Sequence, residues 1–364
     1  MPFFTPRKLT KLCAALLAGM LALPVVAAPN MTITTSNSIS GQLQNSFATD
    51  LKLAQQGDAT AQNQVGMRYL HGIDGSVKDY VQAKMWLEKA AAQGDDAAQN
   101  NLGYMYQQGW GVKQDYAKAK ALFEQAVAQG YDVAQYNLGY MYEQGWGVKQ
   151  DYAKAKAYYE QAAAQGYDAA QNNLGYMYFE GGGVKQDYTK AKALFEKAAT
   201  QGHKAAQNNL GYMYQQGLGG KRNYAQAKIW YEKAAVQGHA DAQYNLGDMY
   251  EQGFGVKQDY AKAKAYYEQA AAQGHADAQS SLGYMYRKGW GVKQDYAKAK
   301  ALFEQAAAQG NAVAQHNLGL MYVKGLGVKP DYAKAKSFFE QAAAQGDTVA
   351  QENLNYMRQE GLIR

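Results

Sequence analysis

The sequence runs to 364 residues, with 37 lysines and arginines against 31 aspartates and glutamates, and it holds a single cysteine, Cys13. A charge balance so close to neutral argues against a nucleic-acid-binding surface, and one cysteine excludes a disulfide framework. This length would ordinarily suggest two or three globular domains. An internal period replaces that expectation with one elongated array.

Residues 1–27 carry Arg7, Lys8 and Lys11, then an apolar run from Leu12 to Leu23, then Pro24-Val25-Val26-Ala27-Ala28. This is the three-part grammar of a secretory signal peptide. Cleavage after Ala27 places Val25 at position −3, whereas cleavage after Ala28 would leave Pro29 first. Pro24, and a run shorter than the ~20 residues needed to span a bilayer, count against a membrane anchor. Cys13 stands at the start of the apolar run instead of ending it, so it is not placed as a lipoprotein cysteine. The mature chain then has no cysteine, no disulfide and no thiolate chemistry, no membrane span, and a net charge of +3 once the three leader cations are set aside from the 37. A periplasmic or secreted protein is expected.

Residues 28–42 are rich in Ser, Thr and Asn without an apolar period and read as a flexible polar leader. In residues 43–57, Leu43, Phe47, Leu51 and Ala54 followed by Gly57 predict a lone N-terminal capping helix. From there a Leu-Gly pair recurs at Leu102-Gly103, Leu138-Gly139, Leu174-Gly175, Leu210-Gly211, Leu246-Gly247, Leu282-Gly283 and Leu318-Gly319, always 36 residues apart. Val65-Gly66 precedes the series by 37 residues, and Leu354-Asn355 follows it. Such a period is the signature of a solenoid. Eight repeats occupy residues 59–349 and a half repeat residues 350–364. In the half repeat, Asn355 and Arg358 replace the glycine and the tyrosine, as suits an exposed final face.

Each unit reads as two helices. In the copy beginning near Asp132, Ala134, Leu138, Met141 and Tyr142 fall along one face of helix A, with Asp132 and Gln135 spaced as a capping box. Ala155, Tyr158, Tyr159 and Ala162 form the stripe of helix B, and Gly166 stands where a helix end wants positive φ. Between the helices, Gly145 and Gly147 permit a tight reversal, and Val148 can turn inward. Gly139 is placed to let the helices approach closely. Of the 31 tyrosines, the positions of Tyr142 and Tyr152 hold eight each and are expected in the core. One helix pair cannot offset the entropy of ordering its own backbone, so neighbouring pairs must share a core. The prediction is an all-α, right-handed α/α superhelical solenoid of eight helix-turn-helix repeats with an extra helix at each end.

The pattern A-x-x-x-L-G-x-x-Y-x-x-G-x-G-V-x-x-D-Y-x-K-A, closed by A-A-x-x-G, resembles the Sel1-like repeat, a relative of the tetratricopeptide repeat, over about residues 59–360. The 36-residue unit and the G-x-G-V loop favour it over the 34-residue tetratricopeptide unit. The resemblance implies an adaptor that binds a partner protein or extended peptide; a monomer is expected. It also brings an alternative, since cysteine-rich proteins of this kind are associated with β-lactamase or penicillin-binding activity. Those carry a cysteine pair in each repeat; the mature chain here has none and lacks an S-x-x-K motif.

The partner-binding face is expected on helix A, opposite its core stripe, where positions 136, 140 and 143 and their copies align at i, i+4 and i+7. Tyr104, Tyr140, Tyr176, Tyr212 and Tyr284 occupy the middle position, with Asp248 and Leu320 interrupting, and Tyr136, Tyr244, Asn100, Asn172 and Asn208 the first. Asn137 and its copies border this face, ready for a partner's backbone or for the next helix. Tyrosine offers rigid amphipathic area and asparagine offers hydrogen bonds, a composition suited to peptide recognition. The loop aromatics Trp110, Trp146, Phe254 and Trp290 form a second candidate surface, read first as caps on the core, and Gly182 breaks their series. No catalytic group, cofactor site or metal site is expected. His203, His239 and His275 share one position in successive repeats, but repeats ~10 Å apart cannot share one ion with bonds of ~2.0–2.1 Å. The glycine-rich loops lack a Walker lysine and a preceding strand.

Overall fold

The computed structural model describes residues 39–73 and 76–364. The expected signal peptide, its expected cleavage site and most of the expected polar leader lie outside the described residues. Among the described residues the chain forms 18 helices and no strand. Helix α1 spans Ile39–Gln55, beginning before the Leu43 expected as its start. Eight pairs follow, helix A then helix B: α2 (Ala59–His71) with α3 (Tyr80–Ala92), α4 (Asp96–Gln108) with α5 (Tyr116–Ala128), α6 (Asp132–Gln144) with α7 (Tyr152–Ala164), α8 (Asp168–Glu180) with α9 (Tyr188–Thr200), α10 (Lys204–Gln216) with α11 (Tyr224–Val236), α12 (Ala240–Gln252) with α13 (Tyr260–Ala272), α14 (Ala276–Lys288) with α15 (Tyr296–Ala308), and α16 (Ala312–Lys324) with α17 (Tyr332–Ala344). Helix α18 (Thr348–Gln359) closes the array.

The chain divides into two compact units. One runs to Ala206 and includes Leu218–Gly220; the other holds Gln207–Gly217 and Lys221–Arg364. Each is an all-α stack of helix pairs with its own apolar clusters.

Local chemistry explains why the pairs form. Asp151 caps helix B of its repeat, its carboxylate accepting the Lys154 amide at 3.0 Å. Gly145 ends helix A at φ 72°, in the left-handed region where glycine carries no Cβ penalty. The expected capping box at Asp132 is not formed: Tyr131 is the N-cap and offers no side-chain bond, while Asp132 is already helical and accepts the neighbouring Val133 amide. Other copies do better, since Asp95 at the same N-cap position accepts the Ala98 amide at 2.7 Å.

The core is built as expected from Ala134, Leu138 and Met141 of helix A and Ala155, Tyr159 and Ala162 of helix B, all fully buried. The role of Gly139 is steric. A Cβ there would lie 2.8 Å from the Tyr159 ring and 3.2 Å from the Ala155 carbonyl oxygen.

At the Tyr142 position Tyr250 and Tyr322 are buried in the core as expected, but the other copies, and those of Tyr152, lie at its edge. Tyr142 is half-buried, stacked on Tyr158 at 5.9 Å, with the Lys154 ammonium 5.0 Å from its ring centroid. Tyr152 is 39% exposed, because helix B begins at that residue and its side chain stands at the edge of the layer. In seven of the eight repeats the fully enclosed aromatic is the later one of helix B, Phe123, Tyr159, Phe195, Tyr231, Tyr267, Phe303 or Phe339; in the first repeat Leu87 takes its place.

Candidate functional site

Helix A sets the phase of the candidate face. With Leu138 and Met141 fixed in the core, Tyr140 must emerge on another side of the helix, where it is half-buried. Its ring meets the edge of the Trp146 indole at 5.2 Å and 85°, and that indole lies 5.9 Å from the Tyr116 ring of the preceding repeat. Tyr104, Trp110 and Tyr80 repeat the arrangement at 5.3 and 6.1 Å, as do Tyr284, Trp290 and Tyr260 at 5.2 and 5.4 Å. The tyrosine line and the loop aromatics, which look separate in the sequence, therefore form one aromatic surface wherever both are present.

A backbone constraint holds the loop against its neighbour. Gly147 has φ 65°, and a Cβ there would sit 2.3 Å from Cβ of Tyr116. The repeat with Gly182 in place of the loop aromatic compensates from helix A: Tyr176 stacks on Phe179 at 6.3 Å, and Phe179 in turn meets Tyr188 at 5.5 Å. Where Asp248 interrupts the tyrosine line, Phe254 still stacks on Tyr224 at 5.4 Å.

The predicted residues separate into two groups. Tyr104, Tyr140, Tyr176, Tyr212 and Tyr284 are half-buried, each offering part of its ring to solvent. Tyr136 is only 3% exposed, and Asn100 and Asn137 only 4%. The Asn137 amide donates to the Asn100 carbonyl at 2.8 Å, and Asn245 donates to Asn208 at 3.1 Å, so this asparagine series bonds from one helix A to the next. Asn172 is half-buried and donates to the neighbouring Asn173. Tyr244 stacks on the His275 ring at 5.0 Å. The second group thus fixes how consecutive repeats pack, and the first presents area.

Burial disfavours the charged form of two of these phenols. It raises Tyr140 above the usual phenol value and pushes Tyr176 up to about 12, with the Glu180 and Glu143 carboxylates adding to the effect. Burial likewise raises Glu143, although the Tyr159 hydroxyl, donating to its carboxylate at 2.7 Å, works in the opposite sense.

The histidine series has a structural use. Nδ1 of His203 and of His275 accepts the amide of Ala206 and of Ala278 at 3.2 and 3.1 Å, the geometry of an N-cap. Among the described residues no group of three His, Cys, Asp or Glu side chains is placed to hold a metal ion.

One organising contact escaped the sequence reading. The glutamine after Gly130's helix-A start and the glutamine that ends helix B bond to each other within each repeat: Gln165 Nε2 donates to Gln135 Oε1 at 2.9 Å, and the pair recurs from Gln93 with Gln62 to Gln345 with Gln315. The helix-A member is buried, at 4–6% exposure, in every repeat. The spacing of 30 residues, 31 in the first repeat, was the available signal, hidden because every feature of a repeat is equally periodic.

Comparison with known proteins settles the family. The Sel1 repeat family profile matches eight consecutive segments, 59–95, 96–131, 132–167, 168–203, 204–239, 240–275, 276–311 and 312–347. The chain belongs to the Sel1 repeat family. A search of curated proteins returned no match. Among solved structures, this Sel1 repeat protein is similar to a protective antigen present in uropathogenic Escherichia coli strains displaying an SLR fold. Identity is 41% over 85% of this chain and 67% of the other, with a TM-score of 0.71. It is also similar to a Sel1 repeat protein from Oxalobacter formigenes, at 34% identity over 93% of this chain and 98% of the other, TM-score 0.62. The expected all-α repeat solenoid is thereby established, and the chain is a Sel1 repeat scaffold of the kind commonly used for protein–protein interaction.

Proposed function

We propose that this protein is an exported scaffold, periplasmic or secreted, that holds an extended segment or long helix of a partner protein against the helix-A face. The observation that carries the reading is the joining of Tyr140, Trp146 and Tyr116 into one partly exposed aromatic surface that recurs along the array. Consecutive copies are spaced at ~10 Å by helix packing, and an extended peptide advances ~3.3–3.6 Å per residue, so about every third ligand residue would meet an aromatic anchor. Neutral phenol hydroxyls between the rings supply donors and acceptors for the peptide backbone. The signal-like residues 1–27 support export, and the likeness to a protective antigen fits a chain that leaves the cytoplasm. The same features favour a non-catalytic role: the perturbed tyrosines are spread along the array and converge on no reacting group.

The test is the double variant Tyr140→Ala with Tyr176→Ala. Truncating two anchors of a real interface costs ~1–2 kcal/mol or more apiece, whereas partly exposed positions change stability far less. The expected outcome is loss of partner cross-linking in envelope extract with an unchanged helical melting curve. Equal cross-linking by the variant and the wild type would remove the helix-A face from consideration.

A further inference from the structure

The helix-A position that follows the tyrosine line by three residues is chemically matched to the enclosed aromatic of helix B. Glu143 faces Tyr159, Gln215 faces Tyr231 and Glu251 faces Tyr267, each accepting the phenol hydroxyl at 2.6–2.7 Å. Where the helix-B residue is phenylalanine no hydroxyl is offered: Phe179 and Val323 answer with apolar side chains in the repeats of Phe195 and Phe339, while the repeat of Phe123 keeps a neutral polar one, the buried Gln107. The repeat of Phe303 departs furthest, because it carries Arg287, a permanent cation that is only 5% exposed.

Nε and Nη2 of Arg287 have no hydrogen-bond partner among the described residues. The guanidinium lies on the Tyr284 ring at 4.8 Å from the centroid, and a hydrogen bond to Tyr284 is its other polar contact. No carboxylate pairs with it among the described residues. Two more cations are close enough to feel it: Lys288, whose ammonium lies 5.8 Å from the same ring, and Lys324 of the next helix A, both exposed. A buried guanidinium with two unused donors, crowded by like charge, is a costly arrangement.

We infer that Arg287, with Lys288 and Lys324 at its rim, is a recognition site for a carboxylate of the bound peptide, an aspartate or glutamate side chain or a free C-terminus. The identification of the ligand as a peptide rests on the reading given above; the carboxylate chemistry rests on Arg287 alone. The two unused nitrogens are covered by surrounding side chains, so capture requires the guanidinium to lift from the Tyr284 ring toward the two ammonium groups. There it gains the paired N–H···O geometry for which it is shaped. Tyr284 is edge-on to Trp290, so the aromatic surface senses the movement directly.

The experiment uses the mature chain and three defined probes: N-acetylated tetraglutamate amide, N-acetylated tetraglutamine amide, and N-acetylated tetraglutamine with a free C-terminus. Calorimetric titration of the wild type should give binding of at least one carboxylate-bearing probe about tenfold tighter than tetraglutamine amide, the factor expected for a charge-assisted pair. Whichever probe binds identifies the source of the carboxylate. Arg287→Met should erase that preference and, having removed an unpaired buried charge, should melt at a temperature equal to or above the wild type. Lys324→Gln should weaken the preferred probe by about two- to threefold at low salt. The inference is overturned by carboxylate probes that bind no tighter than tetraglutamine amide, by a preference that survives Arg287→Met, or by a clear drop in melting temperature in that variant, which would make the guanidinium a structural group. None of these outcomes depends on Tyr140 or Tyr176, so the aromatic face can stand if the carboxylate site falls.

Discussion

The Tyr159 hydroxyl crosses between the two helices of its repeat to reach the Glu143 carboxylate at 2.7 Å, from a ring that is fully buried. The contact joins the core to the candidate face, because Glu143 follows Tyr140 by one turn of helix A. It also places a carboxylate where burial disfavours its charge.

A thermodynamic cycle on this pair should show strong asymmetry. Tyr159→Phe leaves a largely buried acceptor without its donor and is expected to cost ~1–3 kcal/mol. Glu143→Gln keeps an acceptor for the hydroxyl, as Gln215 does for Tyr231, and should be neutral or stabilising at neutral pH. The sign follows from the raised carboxyl: its stabilising contribution is complete below the unfolded value near 4.5 and is lost as pH rises through the folded value. Denaturant melts at pH 4 and pH 7 check this. The wild type should lose more stability than Glu143→Gln across that interval.

Alkaline stability is set by the enclosed phenols. Burial raises Tyr159, Tyr231 and Tyr267 well above 10 and pushes Tyr131 up to about 12, the neighbouring Asp132 adding to it. A raised phenol stabilises the fold fully below the unfolded value near 10, and the contribution vanishes as pH climbs through the folded value. Absorbance of phenolate near 295 nm should therefore rise in two stages, partly exposed tyrosines first and the enclosed ones only together with loss of the helical circular-dichroism signal. A single smooth titration at constant helicity would contradict the enclosure.

Leu210 and Leu246 are fully buried helix-A residues one period apart. Replacing both with aspartate removes apolar burial and places two charges in the stack, and in a nearest-neighbour array the damage should stay local. Hydrogen exchange is expected to accelerate in residues 204–252 well before the first and last repeats. A variant that opens everywhere at one rate would mean that the array folds as a single cooperative block.

What could be read from the sequence was decided by the size of the alternatives. The spacing of Leu138 and Gly139 copies left one fold class open, and the eight pairs follow it closely, down to the Tyr159 ring pressed on Gly139. Phase also located Tyr140 on a face distinct from the core. It could not separate Tyr140 from Tyr136, one turn away on the same line, because burial there is decided by a third ring from the following repeat. Tyr167 lies 5.3 Å from Tyr136 and seals it. The core role expected for Tyr152 went to Tyr159 for a similar reason: helix B starts at Tyr152, and a boundary residue faces the next loop whatever its periodicity. Capping chemistry was legible where the side chain suits it, at Asp151, and misread at Asp132, where the helix begins one residue earlier than the motif requires.

In most loops the glycine rests on a tyrosine of the copy before it, Gly111 on Tyr80, Gly147 on Tyr116, Gly183 on Tyr152 and Gly291 on Tyr260, at 2.2–2.6 Å from where a Cβ would be, whereas Gly219 meets the Tyr188 carbonyl oxygen. These four joints are cut to one gauge. Excising the 36 residues of one copy, for instance 132–167, would bring Gly183 onto Tyr116 with the fit that Gly147 now has. Unequal crossing-over between near-identical gene segments can thus shorten or lengthen this protein without inventing a new interface. The reach of the aromatic surface becomes a quantity that selection can adjust in steps of one repeat.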